Sequence, residues 1–355
     1  MSKTIIIIGA GLAGLSAALQ AAENGCNVKL VSSLPSERAQ SVMAEGGINA
    51  ALNTKDENDS PEEHFTDTIK AACGLADPNA VWGMTQAAPE LVHWLLKLGV
   101  KFNMSGYDDV DLRNFGGQKK KRTAFAQSDT GKQIMTAMID AVRRKEASGM
   151  VERFSHHSFL TLRLCGNICC GCVIRDEYSQ ETVELPGDAV IVATGGMHGL
   201  FGNTTGSLSN TGEVTAELFR LGVPLANGEM IQYHPTTVKC GGKRMLISEA
   251  ARGEGGRLFA MKDGKQWYFM EEKYPELGNL MPRDITAREI WKVSHESEVF
   301  LDMTEISEEI ISNKLSGLAD DCMTYLHKDI RKEPVSVLPL SLIHISEPTR
   351  RVVIS

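Results

Sequence analysis

Residues 4–8 read Thr-Ile-Ile-Ile-Ile, an apolar run with no polar alternation. A short, uniformly apolar run predicts a parallel strand covered on both faces. Gly9-Ala10-Gly11-Leu12-Ala13-Gly14 follows, and the Ala/Leu-rich stretch Leu15–Asn24, closed by Gly25, predicts a helix. Val28–Val31 predicts the next strand, so the chain opens on a βαβ unit. Helical patterning then covers Pro61–Cys73, Pro78–Leu98 and Thr130–Lys145, the last with Thr130 as a candidate cap. Ser158–Asp176 and Thr182–Glu184 predict hairpin strands, with a turn at Gly166-Asn167. Ala189–Ala193 predicts another buried strand ending in Thr194-Gly195-Gly196, and Thr211–Leu221 a helix stopped by Gly222. Beyond Gly228, Gly-rich loops, aromatics and short helices alternate to Ile330, which predicts a second domain.

Gly9, Gly11 and Gly14 form a GxGxxG pattern between a strand and a helix, the context in which that pattern signals a dinucleotide. The first Gly permits the tight turn, the second lets the backbone approach a pyrophosphate, and the third lets helix and strand pack closely. Helix N-terminal N–H groups then face the phosphates. The acid that usually closes the second strand for NAD is absent; Ser32 and Ser33 stand there. That weakens NAD but not FAD, since a Ser hydroxyl also holds a ribose.

The 355 residues suffice for more than one domain and a sizeable core. With 37 Lys+Arg against 45 Asp+Glu the net charge is −8, the wrong sign for a general nucleic-acid binder. No apolar run is long enough to span a bilayer, and the N-terminus lacks the pattern of a signal peptide, which predicts a cytosolic chain. Cys165, Cys169, Cys170 and Cys172 are crowded, but lack a separated pair of CxxC motifs; we expect thiols on a hairpin rather than a metal site. Lys119–Arg122 is expected to be a solvated basic loop.

Several segments together resemble the flavoprotein subunit of succinate dehydrogenase and fumarate reductase, a family that includes L-aspartate oxidase. They are Ser41-Val42-Met43-Ala44-Glu45-Gly46-Gly47, Phe115-Gly116-Gly117 with Arg122-Thr123, Ala193-Thr194-Gly195-Gly196, Gln232-Tyr233-His234-Pro235-Thr236, Ser248-Glu249-Ala250-Ala251-Arg252-Gly253-Glu254-Gly255-Gly256, Pro282-Arg283-Asp284 and Lys332-Glu333-Pro334. The resemblance implies an α/β fold: an FAD-binding Rossmann-like domain with an inserted α+β capping domain. Residues 1–228 would be the first part of the FAD domain, 229–330 the capping and substrate domain, and 331–340 the start of the return to the FAD domain.

The implied reaction interconverts fumarate and succinate by moving a hydride between a flavin and a C4 dicarboxylate, with a proton moving at the adjacent carbon. By resemblance, His234 and Ser248 bind substrate carboxylate, Arg283 is the proton donor, and Glu249 and Arg252 are the relay that reprotonates it. The FAD residues carried over are Gly9, Gly11, Gly14, Ser32, Ser41, Ala44, Gly46, Gly47, Ala193, Thr194, Gly195, Gly196 and Glu213; Thr211-Gly212-Glu213-Val214 departs from the family's Thr-Gly-Asp-Gly at two positions. Gln40 stands where many relatives carry the His that links FAD covalently, so FAD is expected to be non-covalent and of lower potential, favouring fumarate reduction. Full-length relatives dock an iron–sulfur subunit on a membrane anchor, which implies a peripheral position on the inner face of the cell membrane and a role in anaerobic respiration.

Residues 341–355 depart from the family and resemble a translated sequencing adapter. A C-terminally truncated chain is therefore expected, one that lacks a second substrate His and Arg. As it stands it should lack turnover and bind FAD weakly, as an inactive fragment. L-aspartate oxidase is the alternative activity.

Overall fold

The computed structural model describes residues 2–115, 118–201, 204–228, 230–240, 243–344 and 353–354. Gly116 and Gly117 of the Phe115-Gly116-Gly117 segment, and residues 345–352 and 355 of the tail, lie outside them. The central sheet is built on β1 (Thr4–Ile8), β2 (Asn27–Ser32), β3 (Val151–Ser155) and β4 (Ala189–Val192). Its order is β4-β1-β2-β3, all parallel, with Val353–Ile354 antiparallel at the outer edge of β4.

The uninterrupted apolar run of β1 follows from burial on both faces. Ile7 packs into one core with Leu15, Ala18 and Leu19 of α1 (Leu12–Glu23) and with the helix Thr130–Ala147. Ile6 and Ile8 point into a second core under the antiparallel strands His157–Cys165, Ile168–Asp176 and Thr182–Pro186. A third core, from Val238 to Val337, fills the cap. The cap holds the four-stranded sheet of Lys265–Trp267, Arg257–Lys262, Val299–Asp302 and Val335–Ser336. A second sheet sets Ile231–Cys240 between Lys243–Leu246 and Leu338–His344. Among the described residues no helix is long and apolar enough to cross a membrane, and no group of His, Cys, Asp or Glu could hold a metal ion.

Three expectations need correction. Thr130 does not cap its helix; Asp129 holds that position and the Thr130 hydroxyl accepts instead from Ala126 N at 3.0 Å. Cys165 and Cys170 form a disulfide, because the hairpin turn brings their Cα atoms to 6.1 Å, while Cys169 and Cys172 are buried thiols. Arg122 is not solvated: it is 1% exposed and pairs with Asp59 at 2.8 Å and Asp67 at 2.9 Å, pinning the loop to the helix Pro61–Ala71. A buried guanidinium needs such acceptors, which a charge run in the sequence does not reveal.

Candidate active site

The strand–turn–helix at the N-terminus is shaped for close approach. Gly9 has φ +108°, and a Cβ there would overlap Ala193 O; a Cβ on Gly14 would overlap Gly9 O. These two glycines lock β1, α1 and the end of β4 together. α1 begins at a Gly11 cap that offers no side-chain acceptor, and Leu12 N donates to Ser41 Oγ at 3.3 Å. Ser32, at the end of β2, is 7% exposed and its Oγ has no partner. The loop 41–47 is held from below. Gly131 N donates to Ala44 O at 2.6 Å, and Gly47 at φ +134° would place a Cβ 2.5 Å from Ala124 O. Across the cradle stand Ala193, Thr194 and Gly196, with Gly195 at φ +74°. Gln40 Oε1 accepts from Ser207 N at 2.7 Å, and Glu213 is exposed at the start of the helix Glu213–Arg220. An orphaned ribose-type hydroxyl, an open helix N-terminus and glycines without room for side chains fit FAD.

Loop 41–47 also carries half-buried Glu45 and covers the buried Arg113. Arg113 Nη2 donates to Glu45 O at 3.0 Å and to Gly46 O, with its guanidinium 4.3 Å from the Phe125 ring centroid. Burial pulls the Arg113 pKa down to about 10. Glu45 is pushed up to about 8, first by burial and then by Asp321, with Arg113 acting against them.

The second cluster forms where α2 (Glu249–Gly253) meets α3 (Arg283–Val293). Ser248 caps α2, its Oγ accepting from Ala250 N at 3.3 Å. The i, i+3 spacing puts Arg252 on the face of Glu249, and Arg252 Nη2 reaches Glu249 Oε1 at 2.7 Å. Arg283 Nε reaches Glu249 Oε2 at 3.0 Å from the other side. Both members of the Glu249–Arg252 pair are buried, with side-chain exposures of 3% and 0%, whereas Arg283 keeps 29% and so faces open space. Burial acts to raise the Glu249 pKa, but Arg283 and Arg252 outweigh it and hold the carboxyl below its ordinary value. Burial lowers Arg252, against the pull of Glu249. A guanidinium made more acidic beside an ionised carboxylate suits proton passage.

His234 sits in the same electrostatic group, 1% exposed, with a pKa pushed down to about 3 by burial and then by Arg283. It is therefore neutral at working pH, and its Nδ1 lies 3.0 Å from Thr236 O and 3.3 Å from Thr236 N. With Nδ1 accepting from Thr236 N, the single proton of the neutral ring sits on Nε2, which can donate without carrying charge.

The sequence matches the family described as FAD binding domain over residues 4–347. The chain belongs to that family. It is 43% identical over 346 residues to the succinate dehydrogenase flavoprotein subunit of Bacillus subtilis, covering 95% of this chain and 59% of that protein. It is 32% identical over 350 residues to the 8-methylmenaquinol:fumarate reductase flavoprotein subunit of Wolinella succinogenes, covering 95% of this chain and 55% of that one. A solved E. coli quinol fumarate reductase variant superposes with TM-score 0.87 at 27% identity, covering 96% of this chain and 60% of that chain. This FAD-binding chain thus spans little more than half the length of the curated relatives it matches, and its fold is the mixed α/β fold of those flavoproteins.

Two residues that organise the cluster were not singled out as site residues from the sequence. Gln232 Oε1 accepts from Arg283 Nη1 at 2.7 Å, which fixes the guanidinium from the side away from Glu249. Asn279 O accepts from Arg252 Nη1 at 2.5 Å, while its side chain takes Leu258 N at 2.9 Å and gives to Glu271 Oε1 at 3.0 Å. Gln232 lies inside the Gln-Tyr-His-Pro-Thr segment, a signal that could have flagged it. Asn279 has no such marker, because its contact runs through a backbone carbonyl.

Proposed function

We propose that this FAD-binding chain carries the dicarboxylate-reducing site of a flavoprotein subunit, acting in the fumarate-to-succinate direction. The observation that carries the reading is the Arg283–Glu249–Arg252 chain, buried at Glu249 and Arg252 and open at Arg283, beside neutral His234. Reduced FAD, held by the Gly9–Gly14 turn and loop 41–47, would supply the hydride. His234 and Ser248 orient one substrate carboxylate by hydrogen bonds. Arg283, the exposed end of the chain, gives a proton to the carbon adjacent to the hydride acceptor, so the double bond gains both. Glu249 then passes a proton from Arg252 back to Arg283. A guanidinium is a weak acid, but the developing carbanion is a far stronger base, and the ionised Glu249 is placed to take the proton that restores the Arg283 cation. Gln40 offers no nucleophilic ring nitrogen, so FAD is held non-covalently, which favours reduction over oxidation. In the cell the protein docks an iron–sulfur subunit against a membrane anchor, peripheral to the inner face of the membrane.

The test is a chimaera in which residues 1–340 replace the matching segment of the Bacillus subtilis relative. With FAD and a reduced viologen dye it should reduce fumarate, and Arg283→Lys should remove most turnover while leaving FAD content unchanged. Turnover of Arg283→Lys within about twofold of the parent would remove Arg283 from proton delivery, because Lys keeps only a point charge. Peroxide release from L-aspartate and oxygen, without fumarate reduction, would replace the proposed activity with an aspartate oxidase.

A further inference from the structure

The hairpin of His157–Cys165 and Ile168–Asp176 carries sulfur chemistry that the dicarboxylate site does not use. It turns at Gly166-Asn167, where Gly166 has φ +65° and open space around it. Cys165 pairs with Ile168 and Leu164 with Cys169, but Arg163 pairs with Gly171. Cys170 is therefore the extra residue of a β-bulge, without an opposite number on the facing strand. From there it bonds diagonally to Cys165, with the two Cα atoms 6.1 Å apart. Cys165 is exposed and Cys170 is half-buried.

This bridge holds little that the backbone does not already hold. It joins residues only five apart, in a hairpin whose strands pair up to the turn, so breaking it frees little chain. The bulge is anchored without it. Cys170 O accepts from Gly187 N at 3.2 Å, and Gly171, at φ +139°, lies so close to the next strand that a Cβ would overlap Leu185 O. The reduced state also has its acceptor in place, since Arg163 O lies 3.4 Å from Cys170 Sγ. Exposed disulfides are the ones that exchange with external thiols. The neighbouring thiols stay out of that exchange. Cys169 and Cys172 pack into the core with Ile6 and Ile8, and burial pushes the Cys172 thiol up to about 12. Only a thiolate attacks a disulfide, so a thiol that remains protonated does not reshuffle the bridge.

We propose that Cys165–Cys170 is a thiol–disulfide exchange site for a small, water-soluble thiol. The thiolate of that thiol attacks Cys165 Sγ, the exposed partner. The S–S bond breaks, and Cys170 leaves as a thiolate that takes up the proton the small thiol released. A second small thiol then attacks the small-molecule sulfur of the mixed disulfide, freeing Cys165 as a thiol and releasing the small-molecule disulfide. Two electrons pass to the protein, two small thiols are oxidised to one disulfide, and the reverse sequence restores the bridge. The site lies far from the flavin cradle. His157 follows the end of β3, whose Ser155 is level with Ser32, and the strand then runs nine residues to Cys165. There the hairpin meets Gly187, next to Asp188, whose N donates to Thr4 O at 2.8 Å at the start of β1. The turn Gly9–Gly14 stands at the opposite end of β1, so exchange leaves the FAD residues in place. The proposal is independent of the dicarboxylate reading.

The experiment equilibrates the FAD-loaded chain, without denaturant, in mixtures of glutathione and glutathione disulfide. Acid quenching, alkylation and peptide mass spectrometry then read the state of each cysteine. The bridged fraction should fall as the ratio of squared glutathione to glutathione disulfide rises, as a two-electron couple requires, with circular dichroism unchanged. In Cys170→Ser, glutathione disulfide should place one glutathione on Cys165, at a rate within about tenfold of that at the exposed thiol Cys73. In Cys165→Ser the half-buried Cys170 should react at least fivefold more slowly than Cys165 does in Cys170→Ser, and Cys172 should stay unmodified in both. A bridge that opens only in denaturant overturns the proposal. So does Cys170→Ser without an adduct on Cys165 under conditions that modify Cys73. Equal rates at Cys165 and Cys170 in the two variants overturn Cys165 as the attacked sulfur. Because none of these readouts uses fumarate turnover, failure here leaves the chimaera result standing, and the reverse holds too.

Discussion

Arg283 Nε stands 3.0 Å from Glu249 Oε2, joining two helices that are distant in sequence through one buried carboxylate. That carboxylate holds Arg252 on its other oxygen, so two cations depend on a single counter-charge.

Glu249→Gln should therefore be strongly destabilising. Removing one partner of a buried charge pair costs about 3–5 kcal/mol, because the remaining charge stays buried and unpaired. Urea unfolding measures this, and a loss under about 1 kcal/mol would show that water reaches Arg252 freely.

Stability should fall as pH rises through the Glu45 titration. The folded chain holds that proton up to about 8, against an ordinary value of 4.5. A group whose pKa is raised on folding stabilises most below its unfolded pKa, and that contribution is lost as pH climbs through the folded one. The loss for the half-buried Glu45 is roughly 3 kcal/mol between pH ~5 and ~9. Glu45→Gln, measured without added FAD, should flatten that slope; a parent already flat over the range contradicts the assignment.

Two glycine substitutions should act in opposite directions. Gly14→Ala drives a methyl into Gly9 O and should abolish FAD binding and lower Tm. Gly83 lies inside the helix Pro78–Leu98 with nothing within 4 Å of an added Cβ. Gly83→Ala should stabilise by about 1 kcal/mol through helix propensity alone. Circular dichroism melts of the pair test both, and equal effects would deny that close approach at Gly14 matters.

Acid precipitation of the FAD-loaded chimaera should leave all flavin in the supernatant, because Gln40 cannot form the covalent link. Introducing Gln40→His tests the same point in reverse: flavin retained in the pellet of that variant alone is the expected result. Flavin pelleting with the parent protein would refute non-covalent attachment.

Cys165 and Cys170 should resist alkylation until reduced, whereas the other cysteines react once the chain is unfolded. Mass spectrometry of the unreduced, unfolded chain reads the difference directly, and two extra labels would deny the disulfide.

Local signals determined much of this molecule before any contact was known. The apolar run Thr4–Ile8 and the helix Pro78–Leu98 both appear at the boundaries their patterns predict, because a doubly covered strand and a helix with Pro at its first turn and Gly after its end carry their limits in neighbouring residues. The Gly9–Gly14 turn was legible for the same reason. The Glu249–Arg252 pair was legible as a single turn, but not as buried, since burial depends on what α3 and the cap lay over it. Only the tertiary structure decided that Arg122 is enclosed by Asp59 and Asp67, that Gln232 and Asn279 hold Arg283 and Arg252 at the two ends of the cluster around Glu249, and that Arg113 lies buried with donors unmet. Each of those facts joins residues far apart along the chain, and the energy of a buried charge is set by partners that sequence spacing does not encode.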